Sequence, residues 1–271
     1  MNKTTKLGLT ALQIVAAAGL ANMAAAQGSQ SGFQTRVASV TYGPYLRTEL
    51  GYGRTSLTGG YWQPPGYDAD PEVQFALSGD DVTSGVVAFG FDWQNGFRAD
   101  VGLVATGTSD LSGPCSSASN GTSCDSHADI GSASVSTTGL MAHVFYAPLE
   151  ERGSNSPLQP FVSAGLGVAR NTVGDWTRVN PTATQASRTF SGDKTSSLAW
   201  SAGAGLSYQV TKPGEWPVIV EASVRYYDFG SASGGAVPLA GSGTSEPVTP
   251  LTFDFEQTVI AVGIRIPLKR Y

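Results

Sequence analysis

The chain has 271 residues, a net charge of -5, 14% charged residues, 10% aromatic residues and 34 glycines. An acidic balance with no Lys/Arg cluster excludes a partner held by its phosphate backbone, so no nucleic-acid role is expected. Abundant Gly, Ser and Thr with scarce Leu disfavour a helical domain and favour strands joined by turns.

Residues 1–26 read as a secretory signal peptide: Lys3 and Lys6, an apolar stretch over 7–20, and the small-residue site Ala24-Ala25-Ala26. The mature chain is expected to start near Gln27, with 27–42 as an N-terminal segment and 43–271 as one β-barrel domain. No cysteine follows the apolar stretch, which disfavours a lipid anchor. Beyond residue 26 nothing approaches the roughly 20 unbroken apolar residues that a spanning helix needs, so any membrane crossing is by strands.

Period-two hydrophobicity predicts strands over 43–54, 84–93, 96–107, 134–147, 159–171, 195–210, 216–229 and 254–268. Gln94-Asn95-Gly96 is a tight hairpin signal, 149–158 is a short polar link, and 211–215 contains Pro-Gly. The other connections, 55–83, 108–133, 172–194 and 230–253, are long. Alternation of short and long connections predicts an all-β fold: an eight-stranded antiparallel transmembrane up-and-down barrel with short periplasmic turns and long extracellular loops. Its place would be the bacterial outer membrane, among lipid and lipopolysaccharide, after insertion by the barrel-assembly machinery.

Side-chain parity sharpens the expectation. Leu198, Trp200, Leu206 and Tyr208 share one face with Ala202 and Ala204, while Ser201, Gly203, Gly205 and Ser207 share the other. Val218, Val220 and Val224 oppose Glu221 and Arg225, and Ile260, Val262, Ile264 and Ile266 oppose Arg265. Trp93, Trp200, Tyr52, Tyr208 and Tyr226 fall near strand ends on the apolar face, as an aromatic girdle requires. Extended to every strand, parity points Arg47, Glu49, Asp92, Arg98, Asp100, His143, Glu221, Arg225 and Arg265 into the lumen. Charges of both signs in a narrow interior are expected to pair and fill it, because an unpaired buried charge is costly. Inward Gly165, Gly167, Gly203, Gly205 and Gly263 admit two readings: room for facing Arg and aromatic side chains, or a thin aqueous path.

Cys115 and Cys124 lie close together in a Ser/Gly/Asn-rich loop, and an oxidising compartment makes a loop disulfide the leading expectation. The alternative takes both with His127 as metal ligands, but the spacing matches no standard zinc pattern, so no metal or other cofactor is expected. His143 reads as a structural lumen histidine. A lipid-modifying enzyme using it is the weakest reading, since no nucleophile motif stands beside either histidine. Tyr61, Trp62 and Tyr67 in the first loop either anchor a surface ligand or pack the loop onto the rim. Arg178, Arg188 and Lys194 in the third either meet lipopolysaccharide headgroups or pair with Asp175 and Asp193. The fourth loop, 231–250, is of low complexity and expected to be mobile.

The stretches GVVAFGFDWQNGFRADVGLVAT (85–106), PFVSAGLGVA (160–169) and EASVRYYDFG (221–230) resemble the second hairpin, fifth strand and seventh strand of opacity-protein-like outer-membrane β-barrels. The resemblance covers nearly all of the mature chain and implies eight strands, periplasmic termini and four surface loops. Members are surface antigens, adhesins or structural proteins, not enzymes. Terminal Tyr271, out of phase with Ile264, Ile266 and Leu268 and preceded by Lys269-Arg270, departs from the usual aromatic terminus of such barrels. Together these readings predict a non-enzymatic barrel acting in envelope integrity and in contact with a host or surface ligand through its loops. The alternative is a low-conductance porin for small solutes.

Overall fold

A computed structural model describes residues 43–64, 72–119, 121, 124, 129–153, 156–180, 187–212 and 215–269. The predicted signal peptide, the 27–42 segment, Tyr67, His127 and Tyr271 lie outside the described residues. Among the described residues thirteen strands form one antiparallel sheet. In chain order they are β1 (Gly43–Gln63), β2 (Val73–Phe75), β3 (Ser78–Gly79), β4 (Val82–Asp92), β5 (Phe97–Thr106), β6 (Ser109–Ala118) and β7 (Ile130–Tyr146). After them come β8 (Leu158–Val173), β9 (Trp176–Val179), β10 (Arg188–Phe190), β11 (Asp193–Gln209), β12 (Ile219–Ser233) and β13 (Thr249–Pro267). Eight of them close a ring in the order β1, β4, β5, β7, β8, β11, β12, β13, with β13 pairing back onto β1 through Leu46↔Ile266 to Thr58↔Asp254. Closure removes the sheet edge, which a spanning sheet cannot leave unpaired in hydrocarbon.

The eight ring strands are those read from periodicity. At one end the connections are short. Between β4 and β5, Gln94 and Gly96 take positive φ values of 59° and 84°. Asp92 Oδ1 accepts the Gln94 N–H at 3.0 Å and Asn95 Oδ1 accepts the Phe97 N–H at 3.1 Å, so the turn is closed by its own Asx side chains. Between β7 and β8 the single-turn helix α1 (Pro148–Glu151) begins on proline, whose missing N–H costs nothing there.

At the other end the structure departs from the expected long loops. β1 runs on past Arg54 to Gln63, and β6 pairs with β7, β2 and β3 to continue the sheet above the membrane. β9 and β10 form a hairpin that joins β7 through Gly131↔Arg178. Ser109–Ala118, rich in Ser and Gly and holding Pro114, has little strand signal of its own; its hydrogen bonds come from segments far away in sequence. The fourth loop is pinned as well: Ser191 N–H donates to Val237 O, Leu239 N–H to Thr189 O and Val248 N–H to Gln63 O. The segment expected to be mobile thus carries backbone hydrogen bonds to β10, to the residue after it and to the end of β1.

Parity holds on the ring. The outward face carries Leu50 (78% exposed), Leu198 (77%), Leu166, Val168, Leu140, Val87, Leu103 and Ile260, a continuous apolar belt that water would not tolerate at this size. Trp93, Phe97, Tyr208 and Trp216 stand exposed at its short-turn end, and Tyr52 and Trp200 toward the other. Tyr226 is half-buried on the same outward side. Replacing Leu166, near the middle of the β8 apolar run, by Arg is expected to cost about 2–4 kcal/mol in reversible unfolding from lipid vesicles; no measurable loss would contradict the lipid-facing assignment.

Candidate functional site

All nine charged or titratable side chains that parity turned inward lie in the lumen, each 4% exposed or less. They come from six strands: Arg47 and Glu49 from β1, Asp92 from β4, Arg98 and Asp100 from β5, His143 from β7, Glu221 and Arg225 from β12, and Arg265 from β13. Four guanidiniums meet four carboxylates.

Asp100 receives Arg47 at both oxygens, Nε at 2.8 Å and Nη2 at 3.0 Å, and also the Tyr45 hydroxyl at 3.1 Å. Arg47 Nη1 turns to Glu49, which is shared with Arg225, whose Nη1 donates to Oε2 at 2.8 Å and to Tyr227 Oη at 2.9 Å. Nearer the short-turn end Glu221 Oε1 takes Arg98 Nη2 at 2.9 Å and Arg265 Nε at 3.0 Å, and Ser207 Oγ donates to it at 3.3 Å. Arg265 Nη1 reaches Asp92 at 2.9 Å. Bidentate guanidinium pairs of this kind fix geometry as well as charge. The flat faces of the guanidiniums are used too: Arg98 lies 4.5 Å from the Phe145 ring centre and 4.8 Å from Phe161, and Arg47 lies 5.0 Å from Phe145.

The inward glycines are occupied positions. A Cβ on Gly165 would meet His143 and Ser201, on Gly203 Arg225, on Gly205 Phe161, on Gly263 Glu49, and on Gly167 Met141. Their missing side chains are the space in which large facing side chains sit, which is the first of the two readings. A cavity of about 10 Å³ remains beside Glu49, Gly51, Ser84, Arg225 and Tyr227; it has the room of about one water molecule.

His143 faces Asp100 through Nδ1 at 3.4 Å. Among the described residues its Nε2 has no hydrogen-bond partner, and Ser201 Oγ, on the far side of Gly165, makes no hydrogen bond to it. Asp100 is already committed to Arg47, so the three side chains do not assemble a nucleophile, base and orienting acid.

Above the charges the lumen turns apolar. Phe229 stacks between Tyr227 and Phe255 at 5.2 and 5.5 Å, and Trp176 stacks on Phe190 at 4.2 Å with Trp62 edge-on at 5.7 Å. Leu251 and Phe253 complete this cap, and the Trp176 indole N–H donates to Gly235 O at 2.8 Å, tying loops three and four together. The expectation of Trp62 as a surface anchor is corrected: it is 1% exposed, because continuation of β1 carries it onto the inward parity beneath β9 and β10. Tyr61 is half-buried on the opposite side of β1, paired with Thr252 and Gln74. No local signal in Tyr61-Trp62 says which ring faces in; that follows from strand length alone.

Arg178 also turns inward, pairing with Asp129 at 2.6 Å and lying 5.9 Å from the Trp62 ring centre. Its partner comes from the second loop, not from the Asp175 or Asp193 that sequence proximity suggested; Asp175 instead accepts the Gly192 N–H. Arg188 sits opposite Arg178 in the β9–β10 register, and burial together with that neighbouring cation lowers its pKa. Cys115 and Cys124 are joined in a disulfide that ties the end of β6 to its following loop.

A closed antiparallel ring, an apolar belt outside and balanced ions inside satisfy lipid on one surface and buried charge on the other. The chain is a transmembrane β-barrel of eight ring strands. Among solved structures it is similar to Neisserial surface protein A, with 14% identity and a TM-score of 0.44, over 83% of this chain and 97% of that one. It is similar to the outer membrane protein OprG of Pseudomonas aeruginosa, with 15% identity and a TM-score of 0.46, over 84% and 98%. To the outer membrane protein AlkL it has 14% identity and a TM-score of 0.40, over 90% and 100%. No family model and no curated protein matches the chain.

Two arginines converge on Glu49, as two do on Glu221, so Glu49→Gln is expected to destabilise the barrel by about 3–5 kcal/mol, leaving Arg47 and Arg225 under-compensated. Adding Arg225→Met should return part of that loss. Urea titration in lipid vesicles reads both; a Glu49→Gln effect below about 1 kcal/mol, the range of a solvated pair, would contradict a dry ion network.

Proposed function

We propose that this barrel is a non-enzymatic envelope protein that stiffens the outer membrane and meets surface partners through its extracellular cap, without conducting solutes. The reading rests on the filled lumen: paired ions from six strands below, stacked aromatic rings above, and between them a cavity of about 10 Å³. A small barrel has an interior just wide enough for its own side chains, and here the inward glycines give their space to Arg225, Phe161 and Glu49. That weighs against the low-conductance porin. Contact with a partner would fall on the exposed rim, where Val237 and Val248 of the fourth loop stand open, and not on Trp62.

Planar-bilayer recording of the purified full-length mature protein tests the reading. Silent membranes after verified insertion are expected. Reproducible conductance steps would overturn it in favour of the porin.

A further inference from the structure

On three neighbouring strands the apolar belt ends in a cationic, hydroxyl-rich patch. Leu140 of β7, Val168 of β8 and Leu198 of β11 are joined in register as the last apolar outward row. The next outward row is Thr138, Arg170 and Ser196, and the one above it is Ser136, Thr172 and Lys194, both again joined in register. Thr138, Arg170, Lys194 and Ser196 are exposed. Arg170 and Lys194 are therefore diagonal neighbours on adjacent strands, a spacing that long side chains bridge readily.

No carboxylate among the described residues pairs with Arg170 or Lys194. An outward cation elsewhere on this edge, Arg54 on β1, pairs with Thr258 and so has Glu256 as its diagonal neighbour two register pairs on. Past β11 the same edge turns acidic: Asp228 accepts the Trp200 indole N–H at 3.0 Å, and Glu256 and Asp254 follow on β13. Two uncompensated cations and four hydroxyl donors thus gather on one side of the wall, where hydrocarbon gives way to the headgroups of the outer leaflet. Charge-assisted bonds from such donors suit the three oxygens of a phosphate monoester.

We propose that Arg170 and Lys194, aided by the hydroxyls of Thr138, Ser136, Thr172 and Ser196, form a binding site for a phosphate group of outer-leaflet lipopolysaccharide. This rests on the membrane-barrel reading above and assigns the headgroup contact to the β8–β11 wall. Of the third-loop cations considered from sequence, only Lys194 belongs to it: Arg178 is spent on Asp129 and Arg188 is half-buried opposite Arg178.

The test is a titration of the full-length mature protein, folded in zwitterionic detergent, with bisphosphorylated lipid A and with its dephosphorylated form, read by native mass spectrometry. Wild type is expected to prefer the phosphorylated lipid. The R170S/K194S variant should bind it about tenfold or more weakly, the loss of two charge-assisted contacts, each single variant should show part of that loss, and R170K/K194R should stay close to wild type. Arg54→Ser should change nothing. Equal binding of the two lipids, undiminished binding by R170S/K194S, or full competition by an equal concentration of inorganic phosphate would overturn the site. Heat-modifiable gel mobility is followed in parallel: a wild type that shows none would count against the membrane barrel itself, whereas intact mobility with unchanged binding counts only against this site.

Discussion

A strand that crosses hydrocarbon has two faces and two solvents, and the side-chain period of two assigns every residue to one of them. In this barrel the assignment is enforced by charge. An arginine turned to lipid at mid-membrane costs about 2–4 kcal/mol, while an arginine turned inward meets a carboxylate from another strand. Glu49 and Arg225 are 176 residues apart in sequence and 2.8 Å apart in the lumen. A slip of β1 by one residue against β13 would turn Arg47 and Glu49 toward lipid and leave Arg225 and Arg265 inside without them, so the ion network fixes register as well as filling space. Buried pairs are poor sources of net stability; here their value lies in excluding every other alignment.

The same network decides what the interior can do. Each guanidinium is held by at least one carboxylate and lies against an aromatic face, so the lumen's charges are spent on one another. His143 illustrates the difference between composition and arrangement. It has an acid on one side and a serine across Gly165, yet the acid is bound to Arg47 and the serine stands out of hydrogen-bond contact. Above the ions, the Trp62, Trp176 and Phe190 cluster closes the extracellular mouth and turns segments with little strand propensity into an ordered cap.

The eight ring strands, the short turns and the nine inward polar residues were legible in the sequence because period-two alternation is a local signal, repeated over ten or so residues at a time. The partners within the network were not: parity places Arg98 and Glu221 in one compartment, but only the register of β5, β7, β8, β11 and β12 brings them to 2.9 Å. The cap was the least legible part. Ser109–Ala118 and the 231–250 segment are held by hydrogen bonds to distant backbone, and Trp62 is buried because β1 runs longer than its apolar alternation. The Arg170 and Lys194 patch was missed for a related reason. Each is one cation on one strand, and pairing alone reveals that they stand together among four hydroxyls.

Lipid outside and a dry, ion-paired interior are distinguished by magnetisation transfer to the side chains of β11 in lipid nanodiscs, from lipid chains and from water in turn. Transfer from lipid is expected at Leu198 and Leu206 and from neither source at Ala199 and Ser201, which stand between them on the opposite parity. Strong transfer from water to Ala199 and Ser201, or from lipid to Arg225 on the neighbouring strand, would contradict that arrangement.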